Sequence, residues 1–203
     1  MSFKIIEKLK HKFLKKQEKG SERSYYPDFC DFIHEFSEIL KYKNINAIVE
    51  ERQSAENKET GFPDLTVRQN TRLVGWIEIK SPDENLTNKK FDIQFKRYRE
   101  SLENILFTNF REWSLWQWDE KGKPVKVSEI LFDVFDFAIG AEKKLEEIFI
   151  KFLEGKAYEA RTPHQLAFAL ARKTKLLSRQ IEEHFDETDE KSELVKLRNT
   201  FEK

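Results

Sequence analysis

The chain has 203 residues, of which 38% are apolar and 36% charged, with Lys+Arg and Asp+Glu at 37 each. Zero formal net charge excludes a coat that grips nucleic acid by bulk positive charge, and 18 Phe, 5 Tyr and 4 Trp exclude a wholly disordered chain. The single cysteine, Cys30, points to a reducing cytoplasm. The sequence carries neither a membrane-length apolar run of roughly 20 residues nor the apolar stretch of a signal peptide.

In chain order, Phe3, Ile5, Ile6, Leu9, Phe13 and Leu14 recur at helical spacing, predicting an amphipathic helix over 3–18 that ends near Gly20. A second helix carries Tyr25, Phe29, Phe32, Ile33, Phe36, Ile39 and Leu40 on one stripe, with Pro27 in its first turn. Strands are predicted at Asn46–Arg52, Asp64–Arg68 and Arg72–Lys80, the last two joined as a hairpin by Gln69-Asn70-Thr71, with a polar loop over 53–61. Pro82 stops the third strand. A helix follows from about Asn88 to Leu102, then strands at Ile105–Thr108, Glu112–Trp118 and Val125–Phe132, the last after the turn Lys121-Gly122-Lys123-Pro124. Helices are expected over 141–154 and from Thr162 onward, and the acidic stretch Glu182–Glu193 reads as a solvated joint. This order predicts an α/β core with a C-terminal α-helical annex.

The residues that suggest chemistry are Pro63-Asp64 and, on the next strand, Glu78-Ile79-Lys80. A strand's period of two points Glu78 and Lys80 to one face, their Cα atoms roughly 6–7 Å apart. Asp64 opens the neighbouring strand and is positioned to join them. Two adjacent carboxylates repel unless a cation neutralises them, and Mg²⁺ suits oxygen ligands completed by phosphate. Lys80 then stands to orient or help deprotonate a water, or to stabilise charge on a phosphate. The bland alternative is a set of exposed ion pairs of little worth, and spacing alone does not choose between them.

Gln94 and Tyr98 sit one helical turn apart on the following helix, and Lys96 and Arg97 beside them suit a phosphate backbone. Their alternative is ordinary packing, with Tyr98 in the core and Gln94 on the surface. Glu22 either completes the carboxylate cluster or merely favours a helix start capped by Ser21 or Ser24.

Together, Pro63-Asp64, Glu78-Ile79-Lys80 and the Gln94–Tyr98 pair resemble the PD-(D/E)xK nuclease superfamily, the last pair being similar to its QxxxY motif. The blocks Glu22-Arg23-Ser24-Tyr25-Tyr26-Pro27, 74–82 and 94–101, followed by Thr108-Asn109, resemble more closely the N-terminal nuclease domain of bacterial restriction enzymes fused to an adenine-specific DNA methyltransferase. The resemblance spans about residues 20–135. It implies a restriction-endonuclease-like mixed central sheet flanked by helices. It also implies Asp64 and Glu78 as ligands for Mg²⁺, with Mn²⁺ able to substitute, and Lys80 as the catalytic lysine. Gln94, Tyr98, Lys96 and Arg97 would support the site or hold DNA, and Glu22 would be an accessory acid.

On this reading residues 1–138 form a nuclease core with N-terminal helices, and 139–203 form a helical connector to further domains of a longer restriction–modification enzyme. The expected partner is double-stranded DNA, with methyltransferase and target-recognition domains elsewhere in that protein and a transient homodimer on DNA. The chain itself has no Asn-Pro-Pro-Tyr tetrad, and its 6 glycines form no cofactor loop. The alternatives are a non-catalytic DNA-binding or interaction module that keeps the nuclease fold, and a stand-alone repair nuclease.

Four residue classes are assigned no chemistry. His11, His34, His164 and His184 lack ligand spacing, and Cys30 reads as a structural thiol in an apolar stripe. Trp113, Trp116 and Trp118 alternate between sheet faces and read as packing. The lysines of the first helix, Lys8, Lys10, Lys12, Lys15, Lys16 and Lys19, read either as a face that follows a DNA backbone or, at least as well, as a plain solvated face.

Overall fold

A computed structural model describes residues 7–9, 11, 22–49, 63–131, 141–155 and 162–184. Six strands form one sheet in sequence order: β1 (Ile45–Val49), β2 (Leu65–Gln69), β3 (Arg72–Ile79), β4 (Asn104–Thr108), β5 (Glu112–Trp118) and β6 (Pro124–Leu131). Among the described residues the helices with assigned bounds are α1 (Tyr26–Ile39), α2 (Asp92–Ser101), α3 (Ala141–Leu153) and α4 (Pro163–His184). Short 3₁₀ turns, Glu22–Tyr25 and Lys89–Phe91, lead into α1 and α2.

The β2–β3 hairpin closes through Asn70-Thr71, since Gln69 pairs with Arg72, and Asn70 takes the left-handed conformation (φ 53°) that its short amide side chain tolerates. Strands β3 and β4 are parallel, which requires a crossover, and α2 supplies it. Every other neighbouring pair is antiparallel. The result is the mixed, helix-flanked sheet of a restriction-endonuclease-like fold.

The aromatic stripe of α1 buries Phe29, Phe32 and Phe36 in the main core, together with Ile77 and Ile79 of β3 and Trp113 and Leu115 of β5. Helix α3 adds Leu145, Ile148, Phe149 and Phe152 to that same core, and the Phe149 ring lies 5.1 Å from Phe32 and 5.3 Å from Phe36. The expected division at 138/139 falls outside the described residues, and the helix beyond it packs as part of the sheet's own core. On the other sheet face a smaller cluster joins Phe91, Phe95 and Tyr98 to Ile105 and Phe107. Helix α4 lies against α2, and its Arg172 guanidinium sits 4.7 Å from the Trp118 ring while donating to the Gly122 carbonyl at 2.6 Å.

Asn104, at the start of β4, fastens α3 to the sheet. Its Nδ2 donates to the carbonyls of Val74 (2.8 Å) and Phe152 (2.9 Å). A Cβ at Gly75 would come within 2.8 Å of both the Asn104 side chain and the Phe152 ring, so the close approach demands glycine there. At the far end of β4, Asn109 accepts the backbone N–H groups of Arg111 and Glu112 and donates to the Glu84 carbonyl at 2.6 Å. That turn holds Phe110 at φ 69°, a costly conformation for a bulky residue, while its ring packs on Phe29 and Tyr25.

Element edges differ from expectation at points with identifiable causes. The predicted helix over 88–102 opens as a 3₁₀ turn at Asn88, whose side chain accepts the Lys90 N–H, and becomes regular only from Asp92. The described part of the first strand is Ile45–Val49, and 50–62 lie outside the described residues, as does Phe132 of the last strand. The helix expected over 3–18 is described only at 7–9 and 11, which are helical; the acidic stretch is described only to His184, where it is still helix. No described helix is long and apolar enough to cross a membrane.

Candidate active site

The site forms where β2 begins and β3 ends. Leu65 pairs with Ile77, so extending the antiparallel register by one residue sets Asp64 across from Glu78. Alternation along β3 sends Ile77 and Ile79 into the α1 core and Glu78 with Lys80 to the α2 face. Lys80 lies one residue past the strand, yet its N–H donates to the Thr108 carbonyl at 2.8 Å and keeps the backbone in line. Asp64, Glu78 and Lys80 are 1%, 0% and 6% exposed, so the reading as solvated surface ion pairs is overturned.

Glu78 Oε1 accepts from Lys80 Nζ at 2.7 Å and from Gln94 Nε2 at 2.9 Å. Gln94 Nε2 also reaches the Tyr98 hydroxyl at 3.3 Å. Gln94 is therefore buried rather than a surface residue, because the helical turn that buries Tyr98 also aims Gln94 at Glu78. Glu78 Oε2 is buried and has no hydrogen-bond partner. A buried unpaired carboxylate oxygen is costly, and a water or a cation that takes its lone pair would relieve that cost.

Asp64 is held on both oxygens: Oδ2 accepts the Ile79 N–H at 2.7 Å and Oδ1 accepts the Tyr26 hydroxyl at 2.5 Å. The same hydroxyl lies 3.1 Å from Glu22 Oε1, one helical turn earlier. The N-cap of α1 is Tyr25, which makes no side-chain cap, and Glu22 stands in the first turn of the 3₁₀ segment that leads into α1, so its place favours the helix start as well as the Tyr26 hydroxyl; Ser21 lies outside the described residues.

The electrostatics report surplus negative charge. Burial, and then the Asp64 charge, push the Glu78 carboxyl up to about 8 against the opposing pull of Lys80. Burial alone would lower the Lys80 pKa, but Glu78, Glu22 and Asp64 outweigh it and raise it. Both partners of the ion pair thus hold protons more tightly than in water. Burial also drives the Tyr98 phenol far upward, so it stays protonated. The Lys80 ammonium sits 5.1 Å from the Phe91 ring centroid, which closes one side of the site.

Lys96 is not part of this cluster. Two residues beyond Gln94 it faces solvent, 71% exposed, at 4.0 Å from Glu100. The Arg97 guanidinium lies half-buried, 5.5 Å from the Tyr98 ring. Among the described residues no three His, Cys, Asp or Glu side chains form a ready-made metal cage, so Asp64 and Glu78 stand as a pair. Cys30 is half-buried, its thiol pushed up to about 11 by burial and by Asp31, which suits a structural thiol. Trp113 is core, while Trp116 is half-buried between Arg99 (4.4 Å) and Lys126 (5.6 Å).

Sequence reasoning missed Tyr26 and Phe91. Tyr26 had a readable signal, its place four residues after Glu22 at the helix start and within the block that carried the family resemblance, but it was given no role of its own.

No protein-family model and no curated protein matches the chain. Among solved structures it is similar to a chain of a cryo-EM structure of a DrdV–DNA complex, with a TM-score of 0.51 and 19% identity. The match covers 75% of this chain but 14% of the other, so this chain spans a small part of that neighbour's length. At this identity the likeness shows a shared fold.

Proposed function

We propose that the chain is a Mg²⁺-dependent DNA endonuclease module in which Asp64 and Glu78 ligate the cation, with Mn²⁺ able to replace it. The observation that carries this reading is the buried, unpartnered Oε2 of Glu78 facing a site with more negative than positive charge. The donor set fits a hard divalent ion, since both groups are carboxylates and water and phosphate oxygens can complete the shell. When bound, the ion neutralises the scissile phosphate and lowers the pKa of an attacking water.

The chain's own residues do the rest. Lys80 and Gln94 occupy Oε1 of Glu78 and so leave Oε2 for the cation. Lys80 keeps its proton at Nζ and offers positive charge to a phosphate oxygen as negative charge builds there. Gln94, tied to Tyr98, is a support for Glu78 rather than a DNA contact. Lys96 offers positive charge to the DNA backbone from the exposed side of α2 and Arg97 from its half-buried place beside Tyr98, and Glu22 is an accessory acid. The DrdV neighbour is bound to DNA, which supports DNA as substrate. On the sequence resemblance, the chain works with methyltransferase and target-recognition domains, the chain beyond α3 leading toward them. Duplex cleavage then needs two sites or two visits, which a transient homodimer on DNA provides.

The test is cleavage of supercoiled plasmid at low salt by wild type and Asp64→Ala, with Mg²⁺, with Mn²⁺ and with chelator. Divalent-dependent nicking that is lost in Asp64→Ala is the expected result; cleavage surviving in the mutant sinks the assignment. A non-catalytic DNA-binding module is the second reading, favoured by the lack of a three-carboxylate cage among the described residues. Calorimetry finding no cation site dependent on Asp64 selects it.

A further inference from the structure

We infer that Tyr26 is a positioning residue whose hydroxyl sets the orientation of the Asp64 carboxylate toward the cation and links it to Glu22. This rests on the cation reading of the site and gives a role to a residue that lies within the Glu22–Pro27 block but outside the ligand set.

Asp64 comes from the turn before β2, where no strand pairing fixes its side chain. Its carboxylate is instead held by donors from two elements on opposite sides, the Ile79 N–H of β3 and the Tyr26 hydroxyl of α1. The backbone donor fixes Oδ2, and the phenol fixes Oδ1, so neither χ angle turns freely. The phenol itself does not wander, because its ring is 4% exposed within the main core and Pro27 fixes the start of the helix that carries it.

The phenol carries one proton and faces two carboxylate oxygens, Asp64 at 2.5 Å and Glu22 at 3.1 Å. It bonds one of them at a time, and the shorter contact marks Asp64 as the principal acceptor. Tyr26 thereby brings Glu22 to the edge of the cluster without making it a ligand, consistent with the absence of a three-carboxylate cage among the described residues.

Isothermal titration of the full chain with Mn²⁺, in wild type, Tyr26→Phe, Asp64→Asn and Tyr42→Phe, tests this. Tyr42 is the control: its hydroxyl also donates to a glutamate, Glu154 at 2.7 Å, and not to a carboxylate of the site. Removing a group that orients a metal ligand costs roughly 10–100-fold in affinity. The expected pattern is loss of binding in Asp64→Asn, a weakening of that order in Tyr26→Phe, and no change in Tyr42→Phe, with thermal melts of the variants alongside. Wild-type affinity in Tyr26→Phe overturns the assignment and leaves the cation reading standing. Equal weakening in Tyr42→Phe, or a Tyr26→Phe chain that no longer folds, makes the hydroxyl structural and overturns it too. A wild type without Asp64-dependent Mn²⁺ binding overturns the cation reading and this inference together.

Discussion

On the α1 side of the sheet, Ile77 and Ile79 meet the rings of Phe29, Phe32 and Phe36, and α3 closes the layer with Phe149 and Phe152. On the α2 side, the intervening residues of the same strand are Glu78 and, just past its end, Lys80, packed near Phe91 and hydrogen-bonded to Gln94. One strand of eight residues therefore serves two opposite purposes through nothing more than the pleat. The apolar face supplies the burial that stabilises the fold, and the polar face is held in an unfavourable ionic state that the first makes tolerable. Stability and the proposed chemistry should thus respond to different substitutions.

The largest expected effect is on the apolar face. Phe149→Ala removes a ring that is 1% exposed and touches Phe32, Phe36 and Trp113 across the α1–α3 interface. A loss of about 3–5 kcal/mol is expected in urea unfolding. A loss below about 1 kcal/mol would show that α3 is a detachable connector and not part of the core.

An intermediate effect is expected at Asn104, which lies between the two regions. Asn104→Ala leaves the Val74 and Phe152 carbonyls without their side-chain donor, and each buried unmade bond costs about 1–3 kcal/mol. Hydrogen exchange should speed up in α3 while the β2–β3 hairpin keeps its protection; uniform acceleration through the sheet would contradict the clasp.

The comparison also explains what was legible in the amino-acid sequence. Period-two alternation placed Glu78 and Lys80 on one face, helical spacing paired Gln94 with Tyr98, and Asn70 marked the hairpin, because each signal is local. The packing of α3 was not legible, since Phe149 meets Phe32 across more than a hundred residues and an amphipathic helix reads the same whether its partner is this sheet or another domain. Tyr26 was hidden for a different reason. Its ring is buried in the main core while its hydroxyl meets Asp64 and Glu22, and no helical spacing shows that a tyrosine beside the stripe reaches a carboxylate 38 residues further on. Asn104 stayed unnoticed because an amide at a strand's start carries no pattern to show that it holds two distant carbonyls.

The smallest expected change in stability, and the sharpest separation of the two faces, comes from Glu78→Gln. The amide keeps the side chain's shape and can still accept from Lys80 and Gln94, while removing a charge that burial and Asp64 both disfavour. Because the folded carboxyl is raised toward about 8 while the unfolded one titrates near the ordinary 4.3, the native state binds a proton that the unfolded state releases between those values. In chelator, wild-type stability should therefore fall as pH rises across that window, and be free of this penalty below it. Glu78→Gln should flatten that slope and leave the protein at least as stable as wild type at pH 8, while plasmid nicking with Mg²⁺ disappears. Saturating Mn²⁺ should flatten the wild-type slope as well, because a bound cation stabilises the ionised carboxylate that burial opposes. A wild-type slope unchanged by either the substitution or the cation would mean that Glu78 is content in its burial, and the polar face would then be packing of another kind.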